Sequence, residues 1–322
     1  MSIKILFAPL NFGNIIQDGV VDAFQECGCT VQVFDYMDKY LHCKNHKTVR
    51  EALINNSKEF KPDIIHLQIQ HTPIIDADTI LKIKEILPKV IITNWTGDVR
   101  NYVPITYKKI AEVADYNFIS STGQLSMFKS EINKDIKYWQ IGYNPKLYTP
   151  NTEIINPKYD AVFVGHYNGK EKYPGTIERE QACQLLRNKF GGRFLLTGCN
   201  WPKKFGAIGS VDQRIVTNTY QNSVCCISVS HYNNLDHYFS DRLLMCMASG
   251  RPTISLKFPK WESYFTNMCD LIIADSVNDI PDIVSMLKNN PDLANYIGQS
   301  GANKVLAEHT YYCRVKEFLK RI

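Results

Sequence analysis

Short apolar runs alternate with amphipathic stretches from the start of the chain. Residues 3–8, 30–35, 64–68, 90–94 and 116–120 read as strands. Helical spacing fills residues 18–27, 49–58, 78–86, 107–114 and 125–130 between or after them. A second series begins near Tyr159, with strands at 160–164, 194–197, 224–230, 253–255 and 271–274. Its helices cover 176–188, 217–221, 240–249 and 279–288, and two more close the chain. Apolar strands alternating with helices predict parallel sheets covered on both faces. The segment 141–151, rich in Pro, Asn and Gly, reads as a linker. The expected organisation is therefore an N-terminal Rossmann-like domain over 1–150 and a C-terminal one over 151–305. A final helix over 306–322 is expected to pack back on the first domain. In such sheets ligands bind at the carboxyl ends of strands near a switch in strand order. With two such domains, the central cleft they face is the expected site.

The segment HYFSDRLLMCMASGRP, residues 237–252, sharpens that expectation. Ser240, Asp241 and Arg242 stand at a helix start, and Gly250 and Pro252 follow its end. A cation in the first turn opposes the helix dipole by about 0.3–1 kcal/mol. An anion bound there, such as a diphosphate, offsets that cost; the plainer alternative is an Arg paired with its neighbouring Asp.

Composition narrows the class. The chain has 322 residues, 44% hydrophobic, with a net charge of +5 whose surplus falls mostly after residue 150. This suits an anionic ligand, but there is no dense basic stripe of the nucleic-acid-binding kind. The ten cysteines include no CxxC pair, and Cys27-Gly28-Cys29 is too closely spaced for a zinc knuckle. They read as reduced, mostly buried thiols, which implies a cytoplasmic setting. The opening MSIKILFAPL reads as a strand rather than a signal peptide. No stretch approaches the ~18 apolar residues of a membrane span.

Several segments, in order, resemble GT-B glycosyltransferases, and most of all the CgeB/YkvP-type (glycosyl transferase group 1-like) branch. They are Lys61-Pro62-Asp63-Ile64-Ile65-His66, the linker Gly142–Pro150, and Tyr159–Gly165 followed by Tyr173-Pro174 and Arg179. Ser240-Asp241-Arg242 with Ala248-Ser249-Gly250 resembles the donor-site helix, and His309-Thr310-Tyr311 with Arg314 the closing helix. The resemblance implies two Rossmann-like domains, an acceptor half and a nucleotide-sugar donor half. It implies sugar transfer from a UDP- or GDP-sugar without a further cofactor. One departure stands out. Where many retaining members carry two glutamates eight positions apart, this chain has His237 and Met245. A thioether does not bind a ribose hydroxyl as a carboxylate does, so Asp241 or Glu262 is the expected stand-in.

Sugar transfer needs charge stabilisation on the leaving diphosphate, a held acceptor and usually a base. Arg242, Lys170 and Arg179 are the expected phosphate cations, beside Gly165. Gly198, Asn200 and Trp201 are expected at the nucleotide. The plain alternatives are an exposed Lys170 and an Arg179 on a solvated helix face. Asp98, in Asn94-Trp95-Thr96-Gly97-Asp98-Val99-Arg100, is the candidate base; its alternative role is to order a loop. That segment also resembles the Thr-Asp-Ile-Arg stretch of phage DNA β-glucosyltransferases. Arg100 is expected to pair with Asp98 or hold a substrate. Asn11, Gly13 and Asn14, after the first strand, and His237 are assigned to the acceptor or cleft. Tyr220 and His231 read as packing residues. Asp76-Ala77-Asp78 matches a metal-binding Asp-x-Asp but precedes a helix, so it reads as a cap. His66 and His71, five apart across a strand end, face opposite ways; no catalytic metal is expected. The favoured acceptor is a glycan, protein or small molecule. The rivals are a hydroxymethyl-pyrimidine in DNA, a nucleotide-sugar epimerase, and a non-catalytic sugar-nucleotide binder.

Overall fold

The computed structural model describes residues 2–12, 17–151, 156–169 and 173–322. The chain divides into two compact units: Met1–Ile141 with Tyr311–Ile322, and Gly142–Thr310.

In the first unit the strands are β1 (Lys4–Ala8), β2 (Thr30–Val33), β3 (Ile64–Leu67), β4 (Ile91–Thr96), β5 (Tyr116–Ile119) and β6 (Ile136–Tyr138). They form one parallel sheet in the order β2-β1-β3-β4-β5-β6. Its helices are α1 (Asp18–Glu26), α2 (Tyr36–Cys43), α3 (His46–Phe60), α4 (Ala77–Ile86), α5 (Ile105–Val113) and α6 (Leu125–Glu131). The period-2 alternation of a strand sends neighbouring residues to opposite faces. Leu6 and Ile65 accordingly pack with Leu53, Ile80 and Ile110 of the helices on one side. Ile5, Phe7 and Ile64 pack on the other with Phe24 of α1 and with Val315 and Phe318 of the closing helix, Tyr311–Leu319. Two hydrogen bonds fix that last helix: Trp139 Nε1 donates to Arg314 O at 2.9 Å, and Arg314 Nε to Ile141 O at 3.1 Å.

Two elements were absent from the sequence reading. Strand β6 is only Ile-Lys-Tyr, too short for an alternation to register. Helix α2 is capped by Asp35, which accepts from Asp38 N at 2.9 Å.

In the second unit β7 (Tyr159–Val164), β8 (Phe194–Thr197), β9 (Ser223–Ser228), β10 (Thr253–Leu256) and β11 (Ile272–Ala274) form a parallel sheet in the order β11-β10-β9-β7-β8. Its helices are α7 (Thr176–Phe190), α8 (Val216–Gln221), α9 (Asp241–Ala248), α10 (Ile280–Asn289) and α11 (Pro291–Glu308). Phe163, Leu196 and Ile227 pack beneath Cys183 and Leu186 of α7 and Val284 and Leu287 of α10.

The division falls at Gly142 rather than at the expected Asn151, because the turn-rich segment is bonded into the second unit. Thr217 Oγ1 donates to Leu147 O at 2.8 Å, Gln221 Nε2 to Thr149 O at 2.7 Å, and Asn151 N to Ser249 O at 3.2 Å. Among the described residues, no helix is long and apolar enough to cross a membrane.

Candidate functional site

Strand β7 has β8 on one side and β9 on the other, so the strand order of the second sheet reverses between β7 and β9. That is where open parallel sheets leave a crevice at their carboxyl ends. Arg242 reaches this point from the first turn of α9. Its guanidinium donates to Val229 O at 2.9 Å and Val164 O at 3.4 Å, just past β9 and at the end of β7. The neighbouring Asp241 does not neutralise it there: that carboxylate accepts from the Arg242 backbone N at 2.8 Å. Arg179 arrives from the first turn of α7 and is only 2% exposed, so it does not lie on a solvated helix face. Both guanidinium carbons sit 5.1 Å from the Phe163 ring centroid. A Cβ on Gly165 would collide with the Arg179 guanidinium and come within 2.7 Å of that of Arg242. Only glycine lets the two cations converge on the strand end.

Among the described residues neither arginine has a carboxylate partner within ion-pair distance. Both Nε atoms are buried and unbonded, as are Ser228 Oγ and Ser240 Oγ beside them. Ser240 stands at the N-cap of α9 without making a side-chain cap; the first-turn N–H groups of Arg242 and Leu243 bond to Asp241 Oδ1 and Ser240 O. Burial, followed by the charge of Arg242, holds Arg179 well below its ordinary range.

Two histidines complete the cluster. His231 Nδ1 lies 3.0 Å from Arg179 Nη1, Asn168 Nδ2 lies 3.0 Å from His231 Nε2, and Tyr173 stacks on the imidazole at 4.5 Å. Burial and then the two guanidiniums push His231 down to about 2. The same three causes lower His166, whose Nδ1 accepts from Cys199 N at 2.8 Å. A neutral imidazole accepts at one nitrogen and donates at the other, so neither ring supplies the arginines with a counter-charge. His231 was read as a packing residue, and His166 was not singled out. A signal existed: His-Tyr-Asn occurs at 166–168 and again at 231–233, after two adjacent strands.

The other expected residues are distributed as follows. Gly198 has φ +136° and packs against the Gly165 backbone, while Trp201 Nε1 donates to Gly165 O at 2.7 Å. Asn200 is exposed with φ 66°. Glu262 is exposed in a short turn, Trp261–Ser263, after β10. His237 has φ 57°, with its ring edge-on to Tyr264 at 5.7 Å. Met245 lies on α9. Tyr220 is buried on α8. Lys170, Gly13 and Asn14 lie outside the described residues.

In the first unit Asp98 follows β4, is exposed, and pairs with Arg100 at 3.5 Å. Arg100 also lies 3.4 Å from His71 Nδ1. Asn11 follows β1, donating to Asp35 at 2.6 Å and accepting from Gln17 N at 3.0 Å. Asp76 caps α4, accepting from Thr79 N at 3.0 Å, and pairs with Arg50 at 2.6 Å. His66 is buried against Phe7, Phe24, Trp139 and Phe318, away from His71.

This architecture is the two-unit α/β fold of GT-B glycosyltransferases, as comparison with solved structures shows. The chain resembles a glycosyltransferase from Rickettsia africae ESF-5 with a TM-score of 0.68 at 13% identity, covering 99% of this chain and 97% of that one. Sucrose-phosphate synthase from Thermosynechococcus elongatus gives 0.66 at 11%, covering 99% and 98%. Anabaena Alr3699/HepE in complex with UDP and glucose gives 0.66 at 10%, covering 99% and 100%. Residues 179–320, which include both arginines, match the family model described as Glycosyl transferase-like. No curated protein matches the chain.

Proposed function

We propose that this protein is a glycosyltransferase that moves a sugar from a nucleotide-diphosphate donor to a hydroxyl of a glycan, protein or small molecule. Within that class we place it with the CgeB/YkvP-type members, on its linker and donor-helix residues. The observation that carries the reading is the Arg179–Arg242 pair. Two like charges, one buried and one half-buried, with no carboxylate partner among the described residues, are costly on their own and are matched by a dianion. Their position at a switch in strand order suits a diphosphate. The known UDP-glucose complex of Anabaena Alr3699/HepE, a protein of similar fold, supports the choice of donor.

In the reaction, the acceptor oxygen forms a bond to the anomeric carbon as the bond to the diphosphate oxygen breaks. The released electron pair stays on the diphosphate, where the arginines stabilise the growing charge. Asp98 takes the acceptor proton. Because the guanidiniums supply the positive charge, the mechanism we propose requires no metal and no further cofactor.

Thermal-shift measurements with UDP- and GDP-sugars test the donor. At a concentration 100 times Kd, a ligand raises stability by about 2.7 kcal/mol. The absence of any shift with every nucleotide and nucleotide sugar overturns the proposal, as does an unchanged shift in Arg242→Ala.

A further inference from the structure

At the amino edge of the second sheet, opposite the arginine pair, lies a cavity of about 600 Å³. Asp160, the second residue of β7, and Arg193, immediately before β8, stand in its wall. Lys288 joins them near the end of α10, Pro291 at the start of α11, and Pro157 and Lys158 on the approach to β7. Asp160 and Val164, whose carbonyl oxygen meets Arg242, stand at opposite ends of β7, about 13 Å apart at the rise of a parallel strand. A diphosphate on the arginines therefore leaves this cavity untouched.

The lining sets three cations against one carboxylate. Asp160 is buried, and its Oδ1 accepts from Arg193 Nε at 2.8 Å and Nη2 at 2.7 Å, its Oδ2 from Lys288 Nζ at 3.0 Å. Arg193 Nη2 also donates to Pro157 O at 3.2 Å. Asp160 thus cancels one positive charge and anchors two cations, so that less side-chain freedom is lost when a ligand engages them. Both cations are still about half exposed, which leaves donors on each for a ligand. Lys158 is exposed and has no carboxylate partner among the described residues. The surplus is therefore two positive charges. A phosphate monoester carries about −1.5 to −2 at pH 7 and presents three acceptor oxygens. The cavity volume lies within the range of about 300–1,000 Å³ of small-molecule sites, far more than a bare phosphate fills. Pro157 and Pro291 offer the remainder of such a ligand an apolar wall.

We infer that this cavity is a second ligand site, for a small organic phosphate monoester. Lys158, Arg193 and Lys288 hold its phosphate, and its carbon body lies against Pro157 and Pro291. The inference does not depend on the donor reading, since it uses other residues at the other edge of the sheet.

Calorimetric titration with phenyl phosphate, inorganic phosphate and phenol tests it. Phenyl phosphate is expected to bind the wild type more tightly than either of the others. Lys158→Ala is expected to weaken phenyl phosphate about tenfold and Lys158→Glu about a hundredfold. Arg242→Ala, at the other edge, is expected to retain the site. Lys158 has no ion pair to lose, so both of its variants should unfold in urea as the wild type does. No binding of phenyl phosphate overturns the inference, and so does an affinity unaltered in both Lys158 variants. Loss of binding in Arg242→Ala alone overturns it by placing the anion on the arginine pair. Equal affinity for phenyl phosphate and inorganic phosphate overturns the organic ligand.

Discussion

The carboxyl edges of the two sheets are built on the same plan and finished differently. Each sheet reverses its strand order beside its first strand, between β1 and β3 in one unit and between β7 and β9 in the other. Near the first switch point several polar groups bond one another, while Gln70 Oε1, after β3, is buried and unbonded. Gln68 Oε1 accepts from Leu10 N at 3.0 Å, and Asn11 bridges Asp35 and the Gln17 backbone. At the second, two guanidiniums meet neutral histidines and carbonyl oxygens, and several buried polar atoms are left over. What distinguishes the second edge is its charge: two guanidiniums stand there with no carboxylate partner among the described residues, and charge held from water without a partner is unfavourable. The histidines show the same contrast. Burial alone lowers His66 to about 3, whereas His231 is lowered by burial and then by both arginines.

The contrast breaks most sharply in turnover. Asp98→Asn is expected to lower kcat by about 10²–10⁴-fold with donor Kd unchanged, measured by steady-state kinetics beside calorimetry. Full turnover in that variant would remove Asp98 as the base. Next in size is Arg242→Ala, with an expected loss of about 2–4 kcal/mol in nucleotide binding; Asn11→Ala, on the other edge, should leave that affinity alone.

The pH dependence comes third. The folded values of His66 and His231 lie below the ordinary 6.5. As pH falls through 6.5 the unfolded chain takes up protons that the native state refuses, so stability is lost toward acid. The expected loss between pH 7.5 and 5 is about 2 kcal/mol for each histidine, read from urea unfolding. Saturating pyrophosphate should reduce the His231 share and leave that of His66. The smallest effect is a change of sign. Arg179→Met should stabilise the ligand-free protein by about 1 kcal/mol while weakening pyrophosphate binding. Loss of stability together with unchanged binding would make Arg179 a purely structural residue.

Much of the fold was legible in the sequence. Parallel strands buried on both faces leave continuous apolar runs such as Val-Cys-Cys-Ile-Ser, and their helices end at ordinary caps. Asp76 could be read as a cap because the capping interaction spans three residues. Arg242 stood out because a cation at a helix start conflicts with the local dipole. Arg179 was legible as a candidate cation but its burial was not, because α7 carries a weak amphipathic pattern and burial of a charge is set by neighbours distant in sequence. The place of His231 beside Arg179 was hidden for the same reason, since the two meet across 52 residues, although the repeated His-Tyr-Asn pointed to it.

By itself the sequence determined the alternation of strands and helices, the two-unit plan and the unusual arginine, since all three depend on local periodicity and caps. Tertiary structure decided which strands adjoin, where their order reverses, and that Arg179 joins Arg242 over Gly165 with no carboxylate partner among the described residues. Charge pairing and burial depend on distances through space, and these exist only once β7 and β9 lie side by side.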